Sequence, residues 1–184
     1  MRRRVSATHE DQAAGSLRID ALPPDAPLGA ASDELARTPY LSGFFGGRLV
    51  APLGETSAAA LGWGAKRSGA AARAFAARTG RSFALLEDGF LRSVGLGKAG
   101  APSVSVVVDD EGVYYDAARP SRLERLLNAR VGAARDPGVG EALARWRAER
   151  LSKYNIGPDR PLPALRGKIL LGDQVAGDLS LPGA

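Results

Sequence analysis

The chain has no cysteine, one histidine and one methionine in 184 residues. Without a thiol it has no disulfide, no thiolate metal site and no cysteine nucleophile. His9 is the only imidazole and lies in a polar amino-terminal stretch, which excludes a histidine triad and a multi-histidine metal site. Aromatic residues are 6% of the chain and nowhere interleave with Lys or Arg as a base-stacking platform would require. The segment after "MRRR", "VSATHEDQAAG", lacks the roughly 7–15 apolar residues of a signal peptide. No stretch approaches the roughly 20 apolar residues of a membrane span, so the cytoplasm is the expected compartment.

What is present suits a folded α/β protein. The apolar fraction of 45% and charged fraction of 24% are ordinary for a globular chain, while 23 glycines and 12 prolines forecast many turns. The formal charge is +5, but Arg2, Arg3 and Arg4 supply three of those charges, so the basic balance does not mark a nucleic-acid surface. Residues 1–36, with "LPPDAPLGAASDELA", lack sustained periodicity and read as a flexible lead-in; residues 37–184 read as one domain. Within that domain a strand is expected to end near Leu61. "SGAAARAFAARTG" then reads as a helix with Ser68 as N-cap and Gly80 past its end, and "SFALL" as a buried strand. Strand, helix and strand with short links indicate a parallel α/β unit. "SVSVVVDDEGVYYDA" reads as a hairpin turning at Asp109, Asp110, Glu111 and Gly112, and Ser121 with Glu124 as a capping box. A further helix is expected near 139–152, with Lys153, Tyr154 and Asn155 capping its end. "KILLGDQ" reads as a second buried strand.

Two apolar segments thus finish in acids and amides: Glu87 and Asp88 after the first, Asp173, Gln174 and Asp178 after the second. Ligands of open α/β sheets bind at the carboxyl ends of strands, so both ends are expected to line one cleft. Glu87 and Asp88 admit two readings. They are solvated acids in a strand-ending turn, or carboxylates held over a cleft as base or nucleophile, with Arg92 placed to pair with one of them or with an anionic substrate. Adjacent strand residues point to opposite faces, so a turn at Gly89 is what would aim both acids at one place. The acids at 109–111 read as turn residues rather than a metal site, and the glycines of "GWGAKRSG" and "VGLGKAG" match no phosphate-loop pattern. Trp63 reads as a packing residue.

Four ordered blocks carry a resemblance: "GWGAKRSGAAARAFAARTGRSFALLEDGFLRSVGLG", "SVVVDDEGVYYDAARPSRLERLLN", "LSKYNIG" and "ILLGDQVAGDLSLPGA". Together they resemble the capsular polysaccharide biosynthesis family typified by bacterial retaining β-Kdo transferases. The resemblance implies a Rossmann-like lobe of a GT-B-type glycosyltransferase. It also implies transfer of Kdo from CMP-Kdo to a lipid-linked poly-Kdo linker, with no metal or other cofactor. "EDG" resembles the family's acidic motif, which implies Asp88 first and Glu87 second as the catalytic carboxylate. Gly89, Arg92, Ser93, Gln174 and Asp178 are then implied as substrate-binding positions.

The chain departs from the pattern where Gly172 replaces a bulkier strand residue, and its last residue, Ala184, precedes the family's nucleotide-binding His-Pro region. The expectation is therefore an acceptor-side lobe, inactive alone, whose second lobe or partner chain is missing. The rival expectation is a non-catalytic assembly module of the capsule machinery, held peripherally at the inner membrane with help from Arg2, Arg3 and Arg4.

Overall fold

The computed structural model of the protein describes residues 22–38, 40–47, 50–129, 137–157, 167–169, 171–172 and 174–181. Its centre is a five-stranded sheet of β1 (Leu28–Ala30), β2 (Val50–Pro52), β3 (Ala59–Trp63), β4 (Ser82–Asp88) and β5 (Val106–Asp109), in the order β2-β1-β3-β4-β5. The first four strands are parallel, and β5 runs antiparallel to β4 with Leu86 opposite Val108 and Asp88 opposite Val106. Between β1 and β2 come the one-turn helices α1 (Asp33–Ala36) and α2 (Leu41–Phe44), and between β3 and β4 the long helix α3 (Arg67–Thr79). Two more helices, α4 (Arg122–Asn128) and α5 (Pro137–Ala148), follow the sheet.

Period-two alternation divides the strands between two cores. Ala59 and Leu61 of β3 and Ala84 and Leu86 of β4 bury on one face with Leu28, Leu35 and Leu41, and Trp63 packs against that cluster. Ala60 and Phe83 face the other way, against Ala72 and Phe75 of α3. The small residues on the α3 side have a geometric reason. A side chain at Gly62 would strike the backbone of Ser68 and Gly69, and one at Gly69 would strike Gly64, so these glycines let α3 lie flush on β3. α3 ends at Gly80 in the left-handed conformation, φ 69°, which glycine adopts without a Cβ penalty.

Several expectations hold and several are corrected. β4 is the buried strand, and Glu124 N–H donates to Ser121 Oγ at 3.1 Å at the start of α4. α3 begins two residues early, with Lys66 at the cap position, and Ser68 Oγ instead accepts the Trp63 N–H at 3.0 Å. The hairpin is not formed: Asp109 turns the chain, accepting from the amides of Glu111 and Gly112, but β5 pairs with β4 and no strand follows the turn among the described residues. The folded unit begins before residue 37, because β1 and α1 lie in residues read as lead-in and Leu28 is fully buried. Residues 1–21 and Asp173 are outside the described residues. The described residues of "KILL" do not form the buried strand expected: Ile169 is 98% exposed, Leu171 89%, and neither pairs with the sheet, while Leu170 lies outside the described residues.

Candidate functional site

The order 2-1-3-4-5 places a topological switch between β1 and β3, because the chain leaves β1 toward one edge and leaves β3 toward the other. A crevice opens at such a point, at the carboxyl ends of the strands. Here it is a cleft of about 620 Å³ reaching from Ser32 after β1 and Lys66 after β3 to Asp88 at the end of β4. α1 and α2 form one wall with Leu35 and Tyr40, and Tyr154 closes another side.

β4 remains paired through Asp88, so the two acids stay on opposite faces. Asp88 continues the Ala84 and Leu86 face and lines the cleft. Glu87 continues the Phe83 face toward α3, where its Oε1 accepts from Tyr115 Oη at 2.7 Å. Tyr115 Oη in turn accepts the Ala65 N–H at 3.2 Å, tying Glu87 to the loop before α3. Burial pushes the Tyr115 phenol up to about 12; the Ala65 N–H opposes the rise and the Glu87 carboxylate adds to it. The turn expected to gather both acids is thus corrected. Glu87 supports the β3–α3 loop, and Asp88 alone faces the cleft.

Arg92 fixes Asp88. Its Nε donates to Asp88 Oδ1 at 2.9 Å, and its Nη1 donates to Ser93 Oγ at 3.0 Å and Ala101 O at 2.8 Å. Ser93 is 1% exposed and its hydroxyl donates a hydrogen bond to Gly95 O at 2.6 Å, so it orients Arg92 from beneath rather than facing the cleft. Gly89 is required by contact, since a side chain there would strike Ser105, whose carbonyl accepts the Gly89 N–H at 3.1 Å.

The "LSKYN" block holds this loop from outside. Lys153 O accepts from the amides of Arg92 and Ser93, Tyr154 O accepts from Gly95 N–H, and Asn155 Nδ2 donates to Ser93 O at 3.1 Å. These residues lie past the end of α5 at Ala148 and brace the Arg92 loop, which corrects their reading as a helix cap.

Gln174 and Asp178 do not line the cleft. Their segment meets the body of the protein where Ala117 N–H donates to Leu179 O at 2.8 Å, and Asp178 is held below the usual carboxylate range by the Ser180 amide. The acids after β5 have structural partners. Asp109 Oδ2 accepts from Arg122 N–H at 2.8 Å, Asp110 accepts from Nε and Nη2 along one edge of the Arg122 guanidinium at 2.6 and 2.7 Å, and Glu111 pairs with Arg125 at 2.5 Å. No metal-holding group of three or more such side chains occurs among the described residues. The sequence reading passed over Ser103, Lys98 and Tyr115. The alternation of Ser103 and Ser105 ahead of the valine run was the available signal for the first.

The model of a family described as capsule polysaccharide biosynthesis protein matches residues 58–152, a span that includes Asp88 and Arg92. The chain belongs to this family. Among curated members of the capsule family's kin, the capsule polysaccharide modification protein LipA of Neisseria meningitidis serogroup B is 40% identical over 160 residues, 80% of this chain and 22% of that protein. The lipopolysaccharide-processing protein LpsZ of Rhizobium meliloti is 39% identical over 119 residues, 60% of this chain and 27% of that protein. Among solved structures, the β-Kdo 2,4 transferase KpsC of Thermosulfurimonas dismutans is similar with a TM-score of 0.65 and 36% identity, over 85% of this chain and 51% of that one. This capsule-family chain therefore spans about a fifth to a quarter of the curated relatives and about half of the solved one.

Proposed function

We propose that this chain carries the catalytic carboxylate of a retaining β-Kdo transferase, Asp88, in a lobe that receives the lipid-linked acceptor. The observation that carries the reading is the Asp88–Arg92 pair at the switch-point cleft, in a family whose solved relative is a β-Kdo transferase. Retaining transfer from an activated sugar acid needs a carboxylate at the anomeric carbon, as nucleophile or as partner of an oxocarbenium-like transition state. Asp88 would form the sugar–enzyme bond as CMP leaves, and an acceptor hydroxyl, giving up its proton to solvent, would then displace Asp88 as a free carboxylate with a second inversion. Arg92 keeps the carboxylate aimed and, as a cation, offsets its repulsion from the sugar's own carboxylate. Glu87 supports the loop and takes no part in bond making.

Because the chain spans about half of the solved relative, we assign the CMP moiety to polypeptide outside these residues and expect no turnover from the chain alone. The reaction is read as cytoplasmic, with peripheral contact at the inner membrane where a lipid-linked acceptor resides. No helix among the described residues is long and apolar enough to cross a membrane. The test is a chimera in which this chain replaces the matching half of the solved β-Kdo 2,4 transferase, assayed with CMP-Kdo generated in situ and a Kdo-primed lipid analogue. Transfer that Asp88→Asn abolishes supports the assignment; transfer that survives Asp88→Asn overturns it.

A further inference from the structure

The cleft contains a buried oxygen that the fold leaves unpartnered. Ser103 is 7% exposed and lines the cleft, and its Oγ is the one buried side-chain nitrogen or oxygen without a hydrogen bond among the described residues. Buried hydroxyls are nearly always bonded, so an exception points to a group that arrives from elsewhere. The next residue, Val104, donates its N–H to Arg92 O at 2.7 Å, which sets Ser103 alongside Arg92.

Arg92 also has unused capacity. Its Nε and Nη1 are engaged, whereas Nη2 has no acceptor among the described residues and lies against Gly97, where any side chain would cover it. Nε and Nη2 share one edge of the planar guanidinium, so the group that holds Asp88 presents a second donor beside it. A guanidinium N–H and a hydroxyl in one wall match the two oxygens of a carboxylate. Lys66 and Lys98 stand exposed at the rim with no ion pair among the described residues, and the uncapped amino terminus of α3 opens on the same cleft.

We propose that Arg92 Nη2 and Ser103 Oγ form a carboxylate subsite that seats a sugar acid beside Asp88, with Lys66 and Lys98 drawing the anion in. The inference rests on the transferase reading of the cleft and adds the group that orients the sugar. In a 2-keto sugar acid the carboxylate is bonded to the anomeric carbon, so fixing one places the other against Asp88. Ser103 acts here as a binding residue and takes part in no bond-making step.

The test is calorimetric titration of the purified chain with free Kdo, its methyl ester and inorganic phosphate, for wild type and Ser103→Ala. The expected result is Kdo binding that weakens about tenfold in Ser103→Ala, as for loss of one hydrogen bond to a charged group. The ester is expected to bind about tenfold more weakly than Kdo to wild type, with no further loss in the variant. Phosphate is expected not to displace Kdo. Ser103→Ala is also expected to melt at or above the wild-type temperature, because it removes an unpaired buried hydroxyl. Kdo binding unaltered by Ser103→Ala, equal losses for Kdo and ester, displacement by phosphate, or a clearly lowered melting temperature would each overturn the subsite while leaving the transferase reading in place. A cooperatively folded wild type that binds no Kdo would overturn both.

Discussion

At the scale of single residues, the letters Glu87 and Asp88 separate into two jobs because a strand passes through both. The sequence shows two acids and an arginine four residues on, and that much of the site was legible. Which acid faces the cleft was not, since it depends on β5 keeping β4 extended to Asp88. Tyr115, 28 residues downstream of its partner, gave no local sign that it would claim Glu87. The raised phenol provides a direct check. In an absorbance titration, one of the four tyrosines should ionise near pH 12, and Glu87→Gln should bring it down toward the ordinary value of about 10. Folded pKa above unfolded pKa means that the contribution of Tyr115 to stability is complete below about pH 10 and is lost as pH rises toward 12. A tyrosine titration unchanged by Glu87→Gln would show that burial alone raises the phenol.

At the scale of elements, what could be read was what local chemistry dictates. The alanine-rich α3 with its terminal glycine, the apolar β4 and the Ser121 cap all carry their own signals. The three residues Leu28–Ala30 do not. They become a strand because β2 and β3 supply partners on both sides, a context no window of sequence contains. "KILL" shows the converse: an apolar run becomes a strand only by pairing, and the exposed Ile169 and Leu171 pair with neither edge of the sheet. The glycines at the β3–α3 contact make a packing prediction. Gly62→Ala should force α3 away from β3 and lower stability by about 1–3 kcal/mol, read as a lower midpoint in urea with the slope unchanged. An unaltered midpoint would mean that the helix does not sit flush on the strand. Because Lys66 and Ser68 at the head of α3 both line the cleft, the same variant should also weaken ligand binding there.

At the scale of the whole molecule, one sheet joins two cores and ends in one cleft, and ion pairs after β5 attach α4 to it. The Arg122 hydrogen bonds hold the Asp110 carboxyl below its usual range. A depressed folded pKa means that this pair stabilises the fold fully above the unfolded carboxylate range near pH 4, with the contribution lost as pH falls through the folded value. Asp110→Asn should therefore melt below wild type at neutral pH, with the gap closing as pH falls below the ordinary carboxylate range near pH 4. A gap independent of pH would assign the loss to something other than the ion pair.

The central claim is that Asp88, and not its neighbour, serves sugar transfer at the switch-point cleft. The most direct measurement is Kdo transfer by the chimera described above, compared among wild type, Asp88→Asn and Glu87→Gln with their melting temperatures recorded. The account predicts that Asp88→Asn lowers turnover by about 10³-fold or more while folding is retained, and that Glu87→Gln keeps measurable transfer. Turnover retained by Asp88→Asn, or abolished only in a well-folded Glu87→Gln, would contradict it.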